Sequence, residues 1–307
     1  IITSQEEQAE EDDLSLDEFN LWQMLKELKA PSPQAIANND DTNQRLTCES
    51  WLEHADARPY RDYKQSPVTI LTNENSDVQN CAIPCRYTSD TSREKYDAHD
   101  NSHSGDKARL GMKFLRTMEP SIYYPDTDVN TAHTNGYEIV ATPRFDSDVP
   151  MGYFSWKEYN FMKPPQPKTE TVLSSAFISN CGSKNFRLEA IDALRKYGIS
   201  IDQYGNCGRT KSTDKPKQSV IAKYKYHCAF ENSFEPEYIT EKYFQSLEAG
   251  TVPIVISAPN VHEFAPAPKS ILVLRSIEDV PAVAEQIKRM EANETLYNSY
   301  MEWKFKG

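Results

Sequence analysis

Residues 230–253 read FENSFEPEYITEKYFQSLEAGTVP. An apolar strand ends at Phe230-Glu231-Asn232, a polar loop follows, and Thr240 stands where a helix begins. Its hydroxyl can satisfy a free backbone N–H of the first turn, and Gly250 stops the helix after Ala249. Val252–Ile256 is again apolar and β-branched, hence a strand. Strand, helix, strand without a hairpin turn predicts a parallel sheet with its helices on the faces. Glu241 and Lys242 then fall in the first turn of the helix, at the carboxyl edge of that sheet. Backbone N–H groups and the helix dipole favour an anion there. Lys242 suits a diphosphate as a mobile point charge. Glu241 would repel phosphate and suits the hydroxyls of a sugar.

The same alternation extends on both sides. Thr171–Ser179, Ile199–Tyr204, Tyr226–Glu231 and Ile271–Leu274 read as strands. Lys184–Tyr197 reads as a helix, with Leu188, Ile191 and Leu194 on one face and Gly198 as its stop. Pro216–Lys225 reads as a short helix and Val280–Ala292 as a longer one. Ligands of such sheets bind at the carboxyl ends of the strands. There is no GxGxxG and no internal repeat, so a standard dinucleotide fold is not supported. Upstream, KPPQPK (Lys163–Lys168) reads as a stiff, extended linker. The half before it is irregular: Val68–Leu71 and Glu138–Ala141 read as short strands, and Thr88–Lys107, polar and without an apolar period, as a loop. The division expected is an N-terminal extension over 1–43, a first domain over 44–165 and a second over 166–307.

The 307 residues carry 46 acidic against 34 basic side chains, a formal charge of -12. A field of that sign disfavours a nucleic-acid partner. A phosphate-bearing ligand then needs a local cluster of Lys or Arg. With 38% hydrophobic residues and a mean hydropathy of -0.70, aromatic side chains must supply much of the core. No apolar run approaches the roughly 20 residues that span a bilayer. The chain opens on an acidic stretch, Glu6–Asp13, and an amphipathic one, Leu14–Leu28. That opening predicts a cut-down or mature fragment, so that any membrane anchor would lie outside it.

Of six Cys, only Cys81 and Cys85 form a close pair, whereas zinc sites show two such pairs. Disulfides and an oxidising compartment are therefore expected, with Cys81–Cys85 and Cys181–Cys207 as the candidate bridges. Cys181 and Cys207 flank a strand–helix–strand unit. Cys48 and Cys228 stand alone, and Cys228, in an apolar strand, is expected to be simply buried. Asn293-Glu294-Thr295 is an N-glycosylation sequon.

The segment quoted first resembles the donor-binding signature of the α1,3/4-fucosyltransferase family. There a Phe-Glu-Asn-Ser/Thr strand end leads to Tyr-Ile/Val-Thr-Glu-Lys and then to Gly-x-Val-Pro. The resemblance implies an α/β GT-B architecture, two Rossmann-like domains facing across a cleft, with GDP-fucose bound by the second. It makes Asn232, Tyr238, Glu241 and Lys242 donor contacts. Phe177–Leu188, FISNCGSKNFRL, is similar to the family's Ser-Asn-Cys…Arg segment and makes Arg187 a phosphate ligand, which can offset the charge growing on the leaving GDP. Tyr204-Gly205-Asn206-Cys207-Gly208 follows the family's Tyr-Gly-x-Cys-Gly turn. It adds Tyr204 to the donor site and supports the Cys181–Cys207 pairing.

Met118-Glu119-Pro120, together with DSDVPMGY (Asp146–Tyr153), is similar to the family region that carries the proposed general base. The counterpart is Glu119, although Pro120 stands where Ser is common. Asp146-Ser147-Asp148 and Asp126-Thr127-Asp128 both spell DxD, a metal-binding triplet in the other large glycosyltransferase architecture. Triplets this short arise readily in an acidic chain, and Arg187 with Lys242 can neutralise a diphosphate. The resemblance implies no obligatory cofactor, with Mn²⁺ at most stimulatory.

GYFSW (Gly152–Trp156), QPKTE (Gln166–Glu170), NFRLEAIDAL, EKYFQSLEAG and Cys-Glu-x-Trp-Leu-Glu at Cys48–Glu53 look most like the plant-type core α1,3-fucosyltransferases. Such enzymes fucosylate the innermost Asn-linked GlcNAc. The implied setting is the Golgi lumen, as the catalytic part of a type II membrane protein acting on an N-glycan or glycopeptide. The subfamily often carries a further Cys-rich tail, where a partner for Cys48 would lie. Tyr123, Tyr124, Tyr153 and Trp156 could stack on sugar rings, although buried aromatics are common. Two rivals stand beside this reading. One is a Lewis-type enzyme acting on terminal Gal-GlcNAc, and the other a catalytically inactive glycan-binding relative.

Overall fold

The chain is described by a computed structural model over residues 61–78, 83–155 and 157–306, apart from the side chains of 107 and 108. The expected N-terminal extension, Cys48, Cys81 and Trp156 lie outside the described residues. So does the Cys81–Cys85 bridge, which rests on Cys81.

The first half contains β1 (Val68–Leu71), β2 (Ser76–Val78), β3 (Cys85–Thr88), β4 (Ala98–His99), α1 (Lys107–Leu110), β5 (Met112–Arg116), α2 (Val129–Thr134), β6 (Ile139–Thr142) and β7 (Val149–Pro150). Its strands form one sheet in the order β2-β3-β1-β4-β5-β6-β7. Every neighbouring pair is parallel except β2 with β3.

The second half contains β8 (Ser174–Phe177), α3 (Arg187–Lys196), β9 (Ile201–Tyr204), α4 (Lys217–Ile221), β10 (Tyr226–Phe230), α5 (Glu241–Glu248), β11 (Val252–Ile256), β12 (Leu272–Val273), α6 (Val280–Ala292), α7 (Glu294–Ser299) and α8 (Trp303–Lys306). Its order is β12-β11-β10-β8-β9, wholly parallel. Counted along the chain this is 2-1-3-4-5, so the winding reverses between β8 and β10. A crevice opens at the carboxyl ends of those two strands. Two α/β sheets in sequence, one wholly and one largely parallel, are the layers that a GT-B fold requires.

The central strands are buried on both faces, hence their continuous apolar runs. Tyr226, Cys228, Phe230, Val252, Ile254 and Ile256 pack against Ile191 and Leu194 of α3 and Ile287 of α6. Their neighbours Ala229 and Val255 pack against Tyr243, Phe244 and Leu247 of α5. Cys228 lies within that core as expected, and burial pushes its thiol up to about 12. Phe154, Tyr159 and Phe161, which precede the Pro-rich stretch, stack around Phe244.

The first half departs most from expectation. Thr88–Lys107 is not all loop: β4 lies within it, and Tyr96 is 1% exposed. The strand is only two residues long and is set by polar bonding. Thr69 N–H donates to Asp97 Oδ2 (2.8 Å) and Asp97 N–H to Thr69 O (2.9 Å). No apolar period exists there to be read. Elsewhere the observed ends fall within a few residues of the expected ones.

The turn after β9 depends on Gly205. Its φ is +92°, and a Cβ there would stand 2.3 Å from the Ile178 carbonyl oxygen. The turn lets Cys207 N–H donate to that same oxygen (3.0 Å) and brings Cys207 to Cys181, with Cα atoms 5.4 Å apart in a disulfide. Across a sequence separation of 26 residues, such a bridge contributes about 3–4 kcal/mol in the chain-entropy model. Gly205→Ala combines left-handed strain with a backbone clash. We expect urea unfolding to show a loss of at least about 2 kcal/mol, and a G205A protein with unchanged midpoint would refute this account of the turn.

Candidate active site

The carboxyl edge of the second sheet gathers the charged groups. Glu231 directly follows β10 and is fully buried. Its Oε1 accepts from Thr240 N–H (2.8 Å), and Oε1 and Oε2 accept from the Thr240 hydroxyl (2.8 and 2.9 Å). Lys242 Nζ lies 3.1 Å from Glu231 Oε2 and donates to Thr240 Oγ1 at 2.8 Å. Thr240 also caps α5 as expected, accepting from Lys242 N–H (3.4 Å). Glu241, half-exposed beside them, reaches Lys242 Nζ at 3.3 Å and Lys217 Nζ at 4.0 Å.

Burial pushes the Glu231 carboxyl up, and Lys242 and the Thr240 donors bring it only part of the way back. Burial alone would lower Lys242, but the charges of Glu231 and Glu241 outweigh it and hold the ammonium above 10.5. Glu241 is pulled below its ordinary 4.5 by Lys242 and Lys217 against the opposing effect of burial. The signs set a window. The Glu241 contribution is present above pH 4.5 and is lost as pH falls through its depressed value. The Lys242 contribution is complete below pH 10.5 and is lost above that.

Arg187, the first residue of α3, is 3% exposed. Nη1 donates to Phe230 O (3.5 Å) and Nη2 to Asn180 O, while Nε is buried with no partner. Burial lowers its pKa. A buried guanidinium with a spare donor, at the reversal point of the sheet, is equipped to receive an anion. Asn232 follows Glu231; its carbonyl accepts from Lys184 N–H (2.8 Å) and from the Tyr123 hydroxyl (3.1 Å). Tyr238, 4% exposed, meets Tyr153 edge-on with ring centroids 6.1 Å apart. Burial raises both phenols, helped by the charges of Glu231, Glu119 and Glu241.

Glu119 stands on the other side, in the exposed loop after β5, with its N–H on Thr117 Oγ1 (3.1 Å). It shares one small cavity with Thr142 and Arg144 of the first half and with Glu235 and Tyr238 of the second. The expected base and an expected donor contact therefore line one space. Tyr204 is placed differently from the rest. Its ring stacks on Phe177 (4.5 Å), and its hydroxyl bonds that of Tyr224 (2.7 Å), so it lies in the core.

Three of the four DxD carboxylates already have partners. Asp146 is forked by Arg144 (2.8 and 2.6 Å), Asp148 accepts from Val140 N–H (2.7 Å), and Asp128 caps α2 through Thr131 N–H (3.1 Å). Asn293 is exposed and caps α7, accepting from Leu296 N–H at 3.1 Å. Tyr124 is 54% exposed.

Three participants escaped the sequence reading. Lys217 follows Pro216 at the head of α4, in a stretch that reads only as a short helix, and burial lowers its pKa. Glu231 was read only as a strand end, yet an acid closing a wholly apolar strand was the available signal. Tyr123 was read as a stacking ring; its hydroxyl instead bridges to Gly182 O and Asn232 O, both at 3.1 Å.

Residues 165–306 match the family described as glycosyltransferase family 10 (fucosyltransferase), C-term. A fucosyltransferase-like protein of Arabidopsis thaliana is 45% identical over 262 residues, 85% of this chain and 50% of that protein. Glycoprotein 3-alpha-L-fucosyltransferase A of Drosophila melanogaster is 32% identical over 61% of this chain and 40% of its own length. Human GDP-fucose protein O-fucosyltransferase 3 is 33% identical over 49% of this chain and 34% of its own length. The chain therefore spans half the length of these curated relatives or less. A crystal structure of an alpha1,3-fucosyltransferase with GDP aligns at a TM-score of 0.47 and 17% identity, covering 76% of this chain and 81% of that one.

The Glu231–Lys242 pair can be tested by stability alone. Glu231→Ala leaves Lys242 without its buried counter-charge and should cost about 3–5 kcal/mol. Adding Lys242→Met should return most of that loss. Urea unfolding of both proteins checks it; additive losses would mean that the two side chains are not coupled.

Proposed function

We propose, on the match of residues 165–306 to glycosyltransferase family 10 (fucosyltransferase), that this chain transfers fucose from GDP-fucose, with inversion, to O3 of a GlcNAc residue, the innermost Asn-linked GlcNAc of an N-glycan. One observation carries the reading. Arg187 meets the carbonyl of Phe230 and Lys242 the carboxyl of Glu231, both at the carboxyl end of β10, while Glu119 of the first half and Tyr238 of the second line one cavity.

In this mechanism Arg187 and Lys242 hold the diphosphate and offset the charge that grows on GDP as the glycosidic bond breaks. Glu241 accepts hydrogen bonds from donor sugar hydroxyls, and Asn232 and Tyr238 complete the donor contacts. Tyr204 supports them from the core. Glu119 takes the proton of the acceptor hydroxyl as its oxygen attacks the anomeric carbon. The transition state has oxocarbenium character, and attack on the face opposite the leaving GDP converts a β-linked donor into an α-linked product. Mn²⁺ is stimulatory at most. Secretory placement, in the Golgi lumen, agrees with the Cys181–Cys207 bridge and with N-glycosylation at Asn293.

Identity with a protein O-fucosyltransferase favours a second reading, in which the acceptor is a protein hydroxyl. A competition assay with GDP-fucose and EDTA separates the readings. It offers an N-glycopeptide with exposed antennary GlcNAc, a Lewis precursor trisaccharide and a Ser/Thr-bearing folded domain in one tube. Linkage analysis should find fucose on O3 of the Asn-linked GlcNAc. Fucose on either other acceptor moves the acceptor assignment, and no transfer with intact GDP binding favours an inactive relative. Glu119→Gln should lower kcat by about 10²–10⁴ with GDP affinity unchanged. Lys242→Ala should weaken GDP binding by roughly tenfold or more. Wild-type turnover in E119Q would remove Glu119 from the base role.

A further inference from the structure

We propose that Glu235 is a second carboxylate of the cleft, which holds the acceptor sugar through one of its hydroxyls while Glu119 faces the hydroxyl that reacts. The inference rests on the reading above and deepens it, because nothing in that reading gives the acceptor a ligand on the second half.

Glu235 is 8% exposed, and its Oε2 is buried without a hydrogen-bond donor. Leaving a buried acceptor unmet is costly, most of all on a carboxylate. The nearby cation does not hydrogen-bond it: Arg144 turns its Nε and Nη2 to Asp146. Nor does the adjoining loop. Asn260 Nδ2 and Phe145 N–H donate to Glu237, at 3.1 and 3.4 Å, and not to Glu235.

The chain goes to some lengths to hold Glu235 there. Tyr238 N–H closes a turn on Glu235 O (3.2 Å). Pro236 takes its second position and Glu237 its third, with φ +58°, the one non-glycine residue of positive φ among those described. Turns of this kind ordinarily use Gly or Asn at that place, and a side chain there costs about 1–2 kcal/mol. Asn260 holds the turn, accepting from Glu237 N–H at 3.1 Å. The turn brings Glu235 into the cavity that Glu119, Thr142, Arg144 and Tyr238 line.

The chemistry selects the ligand. A carboxylate only accepts, and Glu119 and Glu235 on one cavity repel a diphosphate, whose cations stand apart at Arg187 and Lys242. The space is water-sized, about 10 Å³, so it takes one O–H of a neutral molecule whose ring lies outside it, and the space beside Glu119 is where the acceptor must present its nucleophile. The ligand is therefore an acceptor pyranose, with N-acetylglucosamine as its simplest form.

Ligand-observed NMR titration of methyl N-acetyl-β-glucosaminide in EDTA tests this without requiring turnover, on wild type, Glu235→Gln and Glu235→Ala. The wild type should bind, and both variants should bind about ten- to a hundredfold more weakly, the range for a hydrogen bond to a charged group. Their GDP affinity, read by calorimetry, should stay within about twofold, which excludes misfolding as the cause. Where the enzyme turns over, acceptor KM should rise far more than kcat falls. Equal saccharide affinity in all three proteins would make Glu235 a water site and overturn the proposal. So would a wild type that binds no saccharide, or binds it only after Mn²⁺ is added. Absence of fucose transfer by the wild type would overturn the proposed reaction instead, since the titration is read independently of it.

Discussion

The site is organised around one buried carboxylate. Glu231 has no solvent to stabilise it, so its oxygens must be met from within. The groups that meet them are the backbone and hydroxyl of Thr240 and the ammonium of Lys242. Those same contacts fix where α5 begins and where Lys242 points. Capping, burial and the placement of a cation at the sheet edge are thus one arrangement. It also resolves the tension between a chain of charge -12 and an anionic ligand. The positive groups needed are few, and they sit in low dielectric, where each acts strongly, while the net charge stays on the distant surface.

The second half was legible in the sequence because its physics is local and repetitive. Strands buried on both faces read as apolar runs, α3 shows its stripe of Leu188, Ile191 and Leu194, and Gly198 and Gly250 mark the helix ends with φ of +86° and +66°. Thr240 announced its cap. The first half was less legible because several of its strands are short or partly exposed, and are held by pairings distant in sequence. Thr69 with Asp97 is an instance: Asp97 carries no strand signal, and the bond exists only once the sheet has formed. Met112–Arg116 is exposed at both ends, so no period marks it.

The site residues divide in the same way. Lys242, Glu241 and Asn232 lie on one contiguous stretch and could be read from it. Glu235 lay on that stretch too, but its orphaned oxygen is a property of three dimensions. Tyr204 shows the reverse error. It belongs to a motif that looked ligand-facing, but β9 turns its ring inward, and Tyr224 and Phe177 take up what it offers. Spacing along a chain identifies the edge of the sheet a residue occupies more readily than the side of the strand on which its ring ends.

The Tyr123 hydroxyl spans the two halves, resting on the carbonyls of Gly182 and Asn232, and sits four positions from Glu119 on the same loop. Carbonyl groups are supplied by every residue, so this contact places no demand on the identity of its partners in the second half. Through it, the loop that bears Glu119 takes part of its position from the backbone of the donor half. A lineage could therefore exchange the lining of its first half, and with it the glycans it serves, without re-tuning the second. The condition is that one phenol survives the exchange. In that sense Tyr123 is a coupling standard, the fixed fitting that lets otherwise variable parts be joined.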